Sequence, residues 1–161
     1  MKKQLNSKGM TLIEVLAVLV LGSIIALLAI NVLFSLVNNK EKIATSANVR
    51  DVADFYLESL SNYIYSLNED NVENVVQSET DGYYIKEKDS PSKITGFKKN
   101  GKTVFLYVGG EKTEYPGSNI KISNFPDTKM EKDGENVYKI TLTLEYNGKT
   151  KTFKKEVHSL P

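Results

Sequence analysis

Residues 7–37 read SKGMTLIEVLAVLVLGSIIALLAINVLFSLV, and they decide how the rest of the chain is read. A lysine and a glycine lead into a long apolar run that carries one acid, Glu14, near its start. Val15 to Val37 is 23 residues without a formal charge. As a helix rising 1.5 Å per residue it would extend roughly 34 Å, enough to cross a hydrocarbon core of about 30 Å. A secretory signal peptide has a shorter apolar core and a small-residue cleavage site, and neither is present here. A plain membrane anchor accounts for the length but leaves Glu14 without a cause, because a carboxylate in hydrocarbon is costly. Lys2, Lys3 and Lys8 precede the run and no acid does, which orients the N-terminus to the cytoplasm and the C-terminal bulk outside.

The totals narrow the chemistry. The 161 residues leave room for one domain besides the anchor, and a formal charge of +1 provides no strong field toward nucleic acid. With no cysteine and a single histidine, His158, a disulfide, a thiolate nucleophile and an ordinary His/Cys zinc site are all excluded. GKT at 101–103 lacks the upstream glycine of a phosphate loop. SETDG at 78–82 and KMEKDGEN at 129–136 do not have EF-hand ligand spacing and read as solvated turns. His158 reads as a surface residue. No catalytic, metal or cofactor constellation emerges, and the expectation is a protein that is not an enzyme.

After the anchor, residues 38 to about 67 continue a helical pattern. Ile43, Ala47, Phe55, Leu60 and Ile64 form a stripe that Val52, Tyr56, Tyr63 and Leu67 widen. Beyond Asn68 the period becomes two, with turn signals between apolar runs. NGKT occurs twice, at 100–103 and 147–150, and Asn-Gly favours a tight hairpin turn. A turn centred on Asn100-Gly101 would pair Phe97 with Val104 and Ile94 with Tyr107. A reversal at Gly109-Gly110 would bring Leu106 to Thr113 and Val104 to Tyr115. The second Asn-Gly would set Leu142 against Phe153. The predicted fold class is α+β: a long N-terminal helix, transmembrane then amphipathic, packed on an antiparallel β-sheet. The expected divisions are 1–9, 10–37 and 38–161.

KGMTLIEVL at 8–16 resembles the processing site of type IV prepilins and pseudopilins: a short basic leader ending in glycine, a hydrophobic residue, then Thr-Leu-Ile-Glu. The resemblance implies a leader of residues 1–9 cut after Gly9 by a prepilin peptidase, with N-methylation of the new terminus, Met10. It further implies that Glu14 serves subunit assembly, facing the terminal amine of a neighbouring subunit. The expected partners are other pilins or pseudopilins, the peptidase, a membrane assembly platform and the lipid bilayer. The chain would be a single-pass membrane protein and then part of an extracellular filament. Two departures stand out: Met10 where phenylalanine is commoner, and Asn31 where many major pilins have a helix-disrupting proline. The family's frequent C-terminal disulfide loop cannot form here. The C-terminal 45 or so residues loosely resemble the tails of minor pilins and J-type pseudopilins, which favours a minor subunit over a major one.

Two basic clusters remain: Lys98, Lys99 and Lys102 at one hairpin, and Lys149, Lys151, Lys154 and Lys155 at the other. If they converged they would offer a salt-sensitive contact to DNA phosphates. Lysines on exposed strand edges also prevent aggregation, and that is the preferred reading. A tip module binding DNA, a surface or a secreted substrate is the alternative to a structural subunit.

Overall fold

The computed structural model describes residues 11–160, apart from the side chains at positions 38, 41, 42, 44 and 91. The Gly9–Met10 junction therefore lies outside the described residues. A single α-helix, α1, spans Leu12–Ser66. A 3-10 turn at Glu69–Asn71 follows, and then nine strands: β1 (Val72–Ser78), β2 (Gly82–Glu87), β3 (Ser90–Asn100), β4 (Thr103–Val108), β5 (Glu111–Thr113), β6 (Lys121–Ile122), β7 (Lys129–Lys132), β8 (Val137–Tyr146) and β9 (Lys149–His158). All strand pairs are antiparallel. This long apolar helix followed by an antiparallel sheet is the α+β arrangement expected from the sequence, and it is consistent with a pilin-like fold. The chain divides into two compact units, Met1–Thr45 and Ser46–Pro161.

In the first unit the apolar residues of α1 are bare. Leu12 is 83% exposed, Leu19 67% and Phe34 66%. In the second unit the helix buries Val49, Val52, Ala53, Tyr56, Leu57, Leu60 and Ile64, spaced three and four apart along one face. These residues join Leu67, Ile85, Phe97, Leu106, Met130, Tyr138, Ile140, Leu142 and Leu144 in one core. The buried face differs from the expected stripe at its start. Ile43 and Ala47 are exposed, because at 100° per residue they lie about 100° or more around the helix from the buried row. Val49, Ala53 and Leu57 take their place, while Phe55 and Tyr63 flank the core, half-buried.

Strands run β1-β2-β3-β4-β6-β8-β7, with β5 on β4 and β9 on β8. The β8–β9 hairpin has the expected register, Tyr146 against Lys149 and Leu142 against Phe153. Asn147 and Gly148 both hold positive φ, at 49° and 71°, which is why Asn-Gly suits this turn. The first NGKT behaves differently. Asn100 stays in its strand and pairs with Thr103, so the loop is Gly101-Lys102, with Gly101 at φ 63°. Phe97 consequently faces Leu106 rather than Val104, and Tyr107 faces Gly96 rather than Ile94. A slip of two residues preserves the pleat, so the buried face survives the change.

Leu106 meets Thr113 as expected. Val104 pairs with Ile122 instead of Tyr115 because β5 ends at Thr113, leaving that edge of β4 to β6. Tyr115 turns toward the helix: its backbone N–H donates to the Tyr56 hydroxyl, and its ring stands edge-on to Phe55.

Candidate functional site

The start of α1 is built by Thr11 and Glu14. The Thr11 backbone N–H donates to Glu14 Oε2 at 2.7 Å and the Thr11 hydroxyl to the same oxygen at 3.0 Å; the Glu14 N–H points back at Thr11 Oγ1, 3.4 Å away. This is a capping box, in which the side chains of the first and fourth positions satisfy each other's otherwise orphaned N–H groups. Thr-x-x-Glu before an apolar run is its sequence signal, and it is present at 11–14. Glu14 thus has a local partner within its own chain, and its second oxygen, Oε1, takes no part in the box.

Beyond it, Leu12–Val37 is the one helical segment among the described residues long and apolar enough to cross a membrane, with mean hydropathy 2.8 and nothing buried. Two features allow another helix to come close. A Cβ added at Gly22 would meet nothing within 4 Å, and the Ser23 hydroxyl is turned inward, donating to the Val20 carbonyl at 2.7 Å. With Ala26 and Ala29 these residues form a low surface of the kind used in helix association in lipid. Asn31 lies within α1, so no break occurs at the position where proline was absent.

The lysine clusters are placed apart. From β3 to β4, β6 and β8 each neighbour reverses direction, so the β3–β4 and β8–β9 turns lie at opposite strand ends. Lys99 and Lys151 end one register row through Val104, Ile122 and Leu144. Four strand spacings separate them, roughly 19 Å. Lys98 is half-buried with its ammonium 5.4 Å from the Tyr84 ring centre, and Lys102 is exposed. Lys151, Lys154 and Lys155 line an open groove with Arg50, Asp54, Leu57, Glu58 and Phe153. Lys151 also donates to the Ser46 hydroxyl at 3.3 Å.

A second polar constellation escaped the sequence reading. Glu69 accepts from Lys132 Nζ at 2.5 Å, from the Tyr138 hydroxyl at 2.7 Å and from the Ser159 hydroxyl at 2.7 Å. Leu160 bonds both ways beside it, its N–H to the Leu67 carbonyl and its carbonyl from the Glu69 N–H. The end of the chain is thereby fastened to the end of α1 without a disulfide. Burial alone would push the Glu69 carboxyl up, but the bonds from Lys132, Ser159 and Tyr138 outweigh it and hold the group below its ordinary value. Burial, and then Glu69, raise the Tyr138 hydroxyl. The partners lie 63 to 90 residues away in sequence, too far for any local spacing to disclose them.

The candidate residues thus belong to a long helix with a capped, acid-bearing start and an apolar half exposed along its length, followed by an antiparallel sheet. Residues 4–30 match the family described as the prokaryotic N-terminal methylation motif, so the chain carries the prepilin signal of type IV pilins and pseudopilins. That signal supports a type IV pilin-like or pseudopilin subunit, a structural rather than an enzymatic role, processing by a prepilin peptidase and attachment to a membrane. No curated protein and no solved structure matches the chain.

Proposed function

We propose that this chain is a minor subunit, a minor pilin or pseudopilin, of a type IV pilus-like filament, and that it supports assembly or priming of that filament. The observation that carries the reading is the bare helix Leu12–Val37, which the methylation motif at 4–30 overlaps. Burying each large aliphatic side chain is worth about 1.5–3 kcal/mol relative to water. So many exposed together require lipid first and neighbouring helices afterwards. In this reading the leader is cut after Gly9 on the cytoplasmic side and Met10 becomes the methylated terminus. Glu14, already held by Thr11, offers its remaining oxygen to the cationic terminus of the next subunit. An unpaired charge in a dry bundle is costly, so that pairing fixes the register in which subunits stack.

A DNA-binding tip is less favoured. The two lysine clusters are separated, and Asp54 and Glu58 share the groove of the second one.

The test is mass spectrometry of filaments sheared from cells that make the chain together with its peptidase and assembly machinery. The expected product begins at a methylated Met10. A Gly9→Val variant should stay at precursor mass in the membrane, because a side chain there obstructs a peptidase site shaped for bare backbone. Full processing of that variant, or filaments devoid of the chain, would contradict the proposal.

A further inference from the structure

Beside β4 the sheet carries more chain than its ladder needs. Thr113 of β5 stands opposite Leu106 and Ile122 of β6 opposite Val104, so one residue would complete the step opposite Phe105. Residues 114–121 fill that interval instead. Pro116 cannot donate to a strand ladder and Gly117 holds φ 69°, so the segment leaves the edge of β4 and then returns to it. The excursion borders a cleft of about 560 Å³. Small-molecule pockets commonly span roughly 300–1,000 Å³.

The lining of the cleft is mixed. Tyr56 of α1 reaches it from below and is only 7% exposed. The Tyr56 hydroxyl accepts the Tyr115 N–H at 3.2 Å, and among the described residues no acceptor takes its own proton. A buried hydroxyl with an unspent donor is unfavourable unless a ligand or water meets it. Phe105, Ile120 and Ile122, all half-buried, supply apolar wall. One rim is held in place by Lys112, which is bonded to Glu114 at 2.8 Å and carries its ammonium 3.9 Å from the Phe105 ring centre. Thr103 and Asn119, both exposed, add a hydroxyl and an amide.

We propose that this cleft binds one unit of an uncharged saccharide, a neutral hexose or an N-acetylhexosamine. A sugar hydroxyl both accepts and donates, so it can take the Tyr56 proton and also serve Thr103 and Asn119. The C–H face of the sugar ring lies against Phe105, Ile120 and Ile122, as an apolar wall with a few placed polar groups requires. Charge points the same way. An acidic ligand would meet Glu114 and a cationic one would meet Lys121, both of which line the cleft and are exposed. A neutral ligand is opposed by neither. The site lies wholly within the outer domain and does not depend on the subunit role.

The test uses the full-length chain with isotope-labelled isoleucine methyls, held in micelles of a phosphocholine detergent, whose head group contains no sugar. Glucose, galactose, mannose, N-acetylglucosamine and N-acetylgalactosamine are titrated in turn, with glucuronate, glucosamine and glycerol as controls. At least one neutral sugar should shift the Ile120 and Ile122 methyls saturably and leave those of Ile25 and Ile140 in place. Equal binding of its methyl glycoside assigns the site to a unit within a glycan; binding of the free sugar alone assigns it to the free sugar. Tyr56→Phe and Asn119→Ala should each weaken that binding about three- to tenfold, the loss of one hydrogen bond. Tyr56→Phe also releases the Tyr115 N–H, so Asn119→Ala, at an exposed position, must act with thermal unfolding unchanged. No saturable shift from any of these sugars would overturn the proposal. So would shifts that glycerol reproduces, since these mark a cleft that takes only solvent. Tighter binding of glucuronate or glucosamine than of every neutral sugar would contradict it, as would sugar binding that neither variant changes.

Discussion

The two halves of α1 are built from the same kinds of side chain and meet opposite fates. Between Leu12 and Val37 every leucine, isoleucine, valine and phenylalanine is at least 40% exposed, whereas Val52, Leu60 and Ile64 are 2% exposed or less. The difference is not hydrophobicity. The second half alternates its apolar face with Arg50, Asp54, Glu58 and Asn62, and the chain supplies a sheet to cover that face. The first half has no polar face at all, so a sheet on one side would leave the others bare. A helix that is apolar all round needs a solvent or partner that surrounds it. One half has its cover within the chain; the other is left bare.

The largest test of that contrast is removal of the bare half. A chain beginning at residue 38 should leave the membrane fraction entirely and remain soluble, with mixed helix and strand by circular dichroism. A membrane-bound or purely helical product would show that the division between the halves is misplaced.

Next come paired truncations on the two halves. Leu60 is fully buried, so Leu60→Ala should cost the outer domain about 2–5 kcal/mol in chemical denaturation. Leu21→Ala, on the bare half, should leave that unfolding transition where it was. Equal effects from both would mean that the halves do not differ as described.

A smaller effect sharpens the covered half. Glu69→Gln keeps the shape of the C-terminal fastening but removes its charge, and should cost about 1–3 kcal/mol. Because the folded Glu69 carboxyl lies below its ordinary value of 4.5, folding is favoured by the ionised form. Its contribution is present in full above that pH and is lost as the pH falls through the lowered folded value. Unfolding followed from pH 7 to 3 should therefore show a wild-type advantage that shrinks toward acid. A constant gap between the two proteins would mean that charge is irrelevant there.

The smallest effect belongs to the start of the helix. Thr11→Ala removes the cap and should loosen the first turn by about 1 kcal/mol. The amide of Glu14 should then exchange faster in detergent micelles, while those of residues near Leu28 do not.

Much of this division was legible before any coordinates. A run of 23 uncharged residues has one physical reading, and Asn147-Gly148 dictated its hairpin because both residues tolerate positive φ. The first Asn-Gly misled by two residues because the turn needed only one left-handed position, and Gly101 filled it with Lys102. The start of the buried stripe differs because Ile43 and Ala47 lie about 100° or more around the helix from the row through Leu60, so the helical period itself places them off the buried face. Glu69 was invisible, since its donors are brought to it by the sheet. The Thr11–Glu14 box is written in the sequence as Thr-x-x-Glu, and reading Glu14 as a charge alone hides it.

The central claim is that the bare half exists for assembly and that Glu14 sets its register. The most direct measurement is the fraction of Glu14→Ala chain found in sheared filaments relative to total membrane protein, with cleavage and methylation at Met10 followed in parallel. Membrane insertion should be normal, because losing a charge makes the segment more apolar. Incorporation should fall by about tenfold or more, since the neighbouring terminus is left as an uncompensated buried charge. Glu14→Gln should share the defect if charge sets the register. Normal incorporation of Glu14→Ala with a cleaved, methylated terminus would contradict the account.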